Sequence, residues 1–304
     1  MVRSRWMLVV GLLVGGVLFS LTLSSTLSLS ARPLNRGQSI PRVDESGYVK
    51  VGSDSLFYET VGHGLTLVLI HDGMVHREIW DHQLSSFSQH FEVVRYDRRG
   101  YGKSTPPTEP FSNVEDLNRL FETLGIEQAG LVAMSSGGRL AIDFTLQNPG
   151  KVSSLVLVGA VVDGFPYTQH FFDRGGHLPP DLSNAQRRAY YATDDPYEIY
   201  SENAAAREQV LDLLRRSPMQ DNHSFSSPRP DPPATARLQE IEAPTLILVG
   251  EFDIPDVHAH SGAINLGVRH STRDIIPRAG HLIPIEQPDL FNERVLEFLT
   301  SLDR

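Results

Sequence analysis

The chain is 304 residues long, 40% hydrophobic and 21% charged, with no cysteine. That composition is globular, and the missing thiols exclude disulfides, thiolate nucleophiles, zinc fingers and Fe–S ligation. Lys and Arg number 27 against 37 Asp and Glu, a net charge of −10, which is the wrong sign for a protein that follows a phosphate backbone and excludes nucleic acid as a partner.

Arg3 and Arg5 precede a stretch from Trp6 to Ala31 without a charged residue, densest in apolar side chains over Met7–Leu23. Positive charge, an apolar core and then small residues, with Ser28 and Ser30 ahead of Ala31, is the order of a secretory signal. The run also reaches the ~17–25 residues that a spanning helix needs. Residues 1–31 are therefore expected to be a signal peptide or an N-terminal membrane anchor, with the basic end inside and the rest exported, either released or held at the membrane. An Arg-, Pro-, Gly- and Ser-rich linker follows over 32–46.

Beyond the linker, short apolar strands alternate with helical stretches, the pattern of a mostly parallel sheet with crossover helices. Tyr48–Val51 and Ser55–Val61 read as a hairpin, followed by strands at Thr66–Ile70, Glu92–Tyr96, Gly130–Ala133, Ser154–Val158, Thr245–Val249 and Arg273–Ile276. Most are near-continuous Leu, Val and Ile runs, as in strands covered on both faces. Helices fit at Trp80–Ser88, Val114–Leu124, Ser136–Gln147 and Pro288–Leu302. Ligands are then expected at the carboxyl edge of the sheet. More than eighty residues separate Val158 from Thr245, with prolines punctuating two or three helical stretches, the best patterned of them Asn203–Arg216, with Ala206, Val210, Leu213 and Leu214 on one face. This predicts a cap over 163–240, inserted into a core made of 47–162 and 241–304.

The strand Gly130–Ala133 runs straight into Met134-Ser135-Ser136-Gly137-Gly138 and then a helical run. A serine on a sharp strand-to-helix turn takes strained backbone geometry, so the positions two before and two after it must be small. Ala133 and Gly137 satisfy this around Ser135, whereas Ser136 would put bulky Met134 at the crowded position. A serine nucleophile needs a base, and the base needs an acid, both from loops at the same sheet edge. Asp253 lies just past one strand end, with Glu251 and Asp163 as rivals for the acid, and His281 lies just past the last strand.

These motifs, in this order, make the chain from Tyr48 onward resemble the α/β-hydrolase superfamily. His71-Asp72-Gly73 resembles its oxyanion turn, Asp97-Arg98-Arg99-Gly100-Tyr101-Gly102-Lys103-Ser104 its Asp-x-Arg-Gly-x-Gly-x-Ser loop, and Ala133-x-Ser135-x-Gly137 its nucleophile elbow. Gly250–Asp253 is similar to its acid loop, and Gly280-His281 with Glu286-Gln287-Pro288 to its histidine loop. The resemblance implies a mostly parallel eight-stranded sheet with helices on both faces and a helical cap after the sixth strand. It implies a triad of Ser135, His281 and Asp253, an oxyanion hole from the backbone N–H groups of Gly73 and Ser136, no cofactor and no metal. The partner it implies is a small-molecule acyl substrate: a carboxylic ester, lactone or thioester, cleaved through an acyl-enzyme. Cofactor-free perhydrolases and carbon–carbon bond hydrolases use the same triad. Haloalkane dehalogenases and epoxide hydrolases need an aspartate where Ser135 stands. A binding protein with slow or no turnover is the competing class, and Asp72, beside the oxyanion position, is the residue that favours it.

Overall fold

The computed structural model describes residues 41–216 and 228–302. Eight strands form one sheet: β1 Glu45–Val51, β2 Asp54–Val61, β3 Thr66–Ile70, β4 Glu92–Tyr96, β5 Ala129–Met134, β6 Val152–Val158, β7 Thr245–Gly250 and β8 Ser271–Ile276. Their spatial order is β1-β2-β4-β3-β5-β6-β7-β8. The pairings of β1 with β2 and of β2 with β4 are antiparallel, and the rest are parallel. β1 starts inside the segment assigned to the linker, because Glu45 and Ser46 pair with Thr60 and Glu59 and the Tyr58 hydroxyl donates to the Glu45 carboxylate at 2.8 Å. The expected signal or anchor at 1–31 lies outside the described residues. Among the described residues, no helix is long and apolar enough to cross a membrane.

Side chains alternate across the central strands, so each strand serves two cores. Val68, Ile70, Leu131, Ala133, Leu155 and Leu157 join one cluster, while Leu67, Leu69, Val132, Met134, Val156 and Val158 join the other. Helices α1 Asp81–Phe87, α2 Asn113–Leu124 and α3 Ser136–Gln147 follow the early strands. The first face is covered by α2 and α3, and the second by α1, whose Phe87 meets Phe291 of the C-terminal helix.

Between β6 and β7 lies the helical cap, with α4 Gln169–Asp173, α5 Asn184–Thr193 and α6 Ala204–Arg216. The amphipathic pattern reveals α6, whose Ala206, Val210 and Leu213 are buried. It misses α4, which is too short to show a period, and α5, which is marked by a capping box of Ser183 and Gln186 rather than by an apolar stripe. The chain closes with α7 Pro255–Gly267, α8 Ile283–Glu286 and α9 Pro288–Ser301. In the parallel part of the sheet, β3, β5, β7 and β8 all run toward one edge, so the segments at 71–73, 135–136, 251–253 and 277–281 emerge on the same rim.

Candidate active site

Ser135 sits at φ 53°, ψ −117°, one of two non-glycine residues with positive φ among the described residues. Its amide donates to the Val158 carbonyl at 2.9 Å, and its carbonyl accepts the Arg139 amide at 3.1 Å. The strained turn persists because its neighbours leave no alternative. A Cβ at Gly137 would collide with the carbonyls of His71 and Ile70, and one at Gly138 would collide with Ala160. Ala133 is fully buried. Crowding around Ser135 is thus the reason for the small residues on either side.

His281 Nδ1 and Asp253 Oδ2 are 2.8 Å apart, with both residues buried, and the other carboxylate oxygen accepts the Ile254 amide at 2.7 Å. Burial alone would lower the His281 pKa, but the carboxylate of Asp253, then those of Glu198 and Asp72, outweigh it and push the imidazole up to about 9. The rivals for the acid lie elsewhere. Glu251 accepts the Arg278 amide at 3.0 Å, and Asp163 pairs with Arg229 at 3.3 Å.

Ser135 and His281 line one cavity of about 430 Å³ with Gly73, Ser136 and the aromatic cap residues Tyr167 and Phe171. Gly73 and Ser136 adjoin, a Cβ on Gly73 falling 3.2 Å from Ser136 Oγ. Among the described residues, neither of their amides bonds to another protein group, so both remain available to an oxygen in the cavity. Asp72 turns away from them. Its carboxylate accepts the amides of Met74 at 2.9 Å and Val75 at 3.1 Å, closing an Asx turn.

The 97–104 loop clamps this turn. Arg98 Nη1 donates to the carbonyls of His71 and Asp72, both at 3.2 Å, and to Ser136 Oγ at 2.9 Å. His71 donates from Nδ1 to the Asp72 carbonyl at 2.7 Å and accepts the Arg98 amide at Nε2, which makes it a neutral strut. Burial and the Arg98 charge hold its pKa well below the usual histidine range. Asp97 accepts the amides of Arg77 and Lys103, so it serves the loop. Among the described residues, no group of three or more His, Asp or Glu side chains is arranged to hold a metal ion.

Gly159 and the cap residues Tyr197 and Glu198 escape sequence reasoning. Gly159, at φ 51°, lies behind the bonded side chains of His281 and Asp253, where a Cβ would fall 3.0 Å from His281 Nδ1 and 3.2 Å from Asp253 Oδ2. From the cap, the backbone carbonyls of Tyr197 and Glu198 accept the His281 amide at 3.0 and 2.9 Å. Glu198 itself faces the cavity, bound to Arg174, which also grips Asp195. Glu286 accepts the amides of Gly280 at 2.9 Å, Leu282 at 3.2 Å and Tyr200 at 2.6 Å, joining the histidine loop to the cap. The sequence offered a signal only for Glu286, through its place in the histidine-loop motif.

A sequence model of the alpha/beta hydrolase family matches residues 67–294. The chain belongs to this family. It is 28% identical over 293 residues to a 2-hydroxy-6-oxononadienedioate/2-hydroxy-6-oxononatrienedioate hydrolase of Paraburkholderia xenovorans, covering 86% of this chain and 97% of the relative. It is 22% identical over 242 residues to a carboxylesterase of Bacillus subtilis, covering 77% of this chain and 80% of the relative. A thermophilic esterase from Thermogutta terrifontis has the same fold, with a TM-score of 0.69 at 23% identity over 85% of this chain and 99% of that one. A meta-cleavage product hydrolase from Pseudomonas fluorescens gives 0.64 at 24% identity over 85% and 98%. This α/β hydrolase therefore shares its fold and its hydrolytic class with enzymes that cut different bonds.

Proposed function

We propose that this hydrolase cleaves carboxylic esters through an acyl-enzyme on Ser135. The observation that carries the reading is a strained Ser135 facing the same cavity as a His281 already bonded to Asp253. Ser135 Oγ attacks the acyl carbon while His281 takes its proton, and Asp253 holds the imidazole tautomer and stabilises the imidazolium. The oxyanion forms against the amides of Gly73 and Ser136, each worth roughly 10²–10³ in rate. His281 then passes the proton to the leaving alkoxide, and water, deprotonated by the same imidazole, releases the acid and restores Ser135. Among the described residues Ser135 Oγ makes no hydrogen bond to His281, and such contacts commonly tighten only when substrate binds.

Asp72 no longer favours a binding protein, since its carboxylate is occupied by its own turn. The second reading is carbon–carbon bond hydrolysis, supported by the dienedioate hydrolase relative. We also propose that the enzyme works outside the membrane, on the strength of the charge pattern at residues 1–31.

A panel of p-nitrophenyl esters of increasing chain length tests the ester reading. Wild type turns over at least one of them, and Ser135→Ala lowers that turnover by ~10⁴–10⁶ without unfolding the protein. A loss below tenfold means another serine attacks. A wild type inert to esters but active on a vinylogous 1,5-diketone transfers the case to the second reading.

A further inference from the structure

Arg139 stands one turn into α3 from Ser135, half-buried, and lines the same cavity as Ser135 and His281. The other arginines of that cavity are engaged. Arg174 forks onto Asp195 at 2.6 and 2.8 Å and onto Glu198 at 2.5 Å, and Arg188 is not free either. The cavity's carboxylates are engaged as well, Asp72 with the amides of Met74 and Val75 and Glu198 with Arg174. Among the described residues, the Arg139 side chain alone of these charged groups makes no hydrogen bond or ion pair.

Its acidic neighbours do not satisfy it. Asp143, one helical turn on, interacts with Arg139 electrostatically but forms no ion pair with it, and its carboxyl, raised by burial to about 6, is still mostly ionised at neutral pH. Asp163 is taken by Arg229. On the side of this cavity Arg139 is flanked by a wall of Val161, Tyr167, Phe171 and Val257, and on its other side it borders a polar cavity of about 530 Å³ with Arg98, Asp143 and Asp163. A guanidinium that faces such a wall without an ion-pair partner is one that a bidentate anion can satisfy. Pockets of this kind take ligands by apolar burial and use a few placed polar groups to fix orientation.

We propose that Arg139 anchors a carboxylate on the substrate, so that this hydrolase prefers anionic esters whose acyl chain or leaving alcohol carries a second, unreacted carboxylate. The inference rests on the ester reading above and names its substrate class. The aromatic wall holds the carbon chain between the scissile carbonyl at Ser135 and the carboxylate at Arg139.

Two matched pairs of esters, differing by one carboxylate, test it and separate the two sources of the carboxylate: p-nitrophenyl monoadipate against p-nitrophenyl hexanoate for the acyl side, and 3-carboxyphenyl hexanoate against phenyl hexanoate for the alcohol side. In wild type the anionic member of one pair has a kcat/KM at least tenfold above its neutral partner. Arg139→Gln lowers that ratio at least tenfold, and Arg139→Lys retains part of it because the charge remains. Calorimetry with adipate needs no turnover and no variant: adipate binds wild type, and raising the salt concentration weakens it. Ratios near one for both pairs, or a ratio that Arg139→Gln leaves intact, overturn the proposal while ester hydrolysis stands. If no ester reacts, the ester reading fails, and adipate binding that weakens at least tenfold in Arg139→Gln still upholds the anion site, whereas no adipate binding removes it too.

Discussion

Gly159 closes the space behind the pair of His281 and Asp253, and its positive φ adds a backbone reason to the steric one. Gly159→Ala places a methyl 3.0 Å from His281 Nδ1 and costs about 1–2 kcal/mol for the left-handed backbone, so it is expected to lower kcat more than tenfold with KM little changed. Steady-state kinetics on the best ester checks this, and a kcat within threefold of wild type shows that the space can relax. On the proposed mechanism His281 must be neutral to accept the serine proton, and it is held near 9 by Asp253, Glu198 and Asp72 against the opposing effect of burial. The expected kcat/KM therefore rises with pH to an inflection near 9, and Glu198→Gln moves that inflection downward. In stability terms the sign is opposite. A raised imidazole pKa favours the folded state fully below about 6.5 and ceases to do so as pH climbs through about 9.

The histidine loop and the cap are one mechanical piece. Four amides, those of Gly280, His281, Leu282 and Tyr200, make six hydrogen bonds to the carbonyls of Tyr197 and Glu198 and the carboxylate of Glu286. Burial pushes Glu286 up to about 7 although its three amide donors oppose the shift. A carboxylate raised in the folded state stabilises below its ordinary pKa of about 4.5, and that contribution is lost as pH rises through about 7. Melting temperatures measured at intervals from about pH 5 to 8 are expected to fall more steeply for wild type than for Glu286→Gln. Parallel curves for the two proteins would show that this carboxyl does not titrate in the window. What the sequence revealed at this scale follows the kind of order each element has. The central strands are legible because both faces are covered, leaving continuous Leu, Val and Ile runs, and α6 because its stripe has the helical period. The cap segment around Tyr197–Tyr200 is held by buried ion pairs and backbone carbonyls, which leave no periodic trace, so Glu198 and Arg174 could not be singled out.

Across the molecule, the parallel strands bring residues more than a hundred positions apart to one rim. Chain order, with the small residues around the serine, pointed to Ser135, Asp253 and His281 because each follows a strand of the same parallel set. Crowding at Ala133, Gly137 and Gly138 was legible as small residues, while the Asx turn of Asp72 was not, since a carboxylate beside an anion site reads as repulsive until its amide partners are seen. The central claim is that this architecture makes one hydroxyl of the chain nucleophilic. Intact-protein and peptide mass spectrometry after exposure to a fluorophosphonate tests it most directly. The expected result is a single adduct on the peptide bearing Ser135, absent from Ser135→Ala and strongly slowed in His281→Ala. Folded wild-type protein that stays unmodified, or carries its adduct on another serine, would contradict the account.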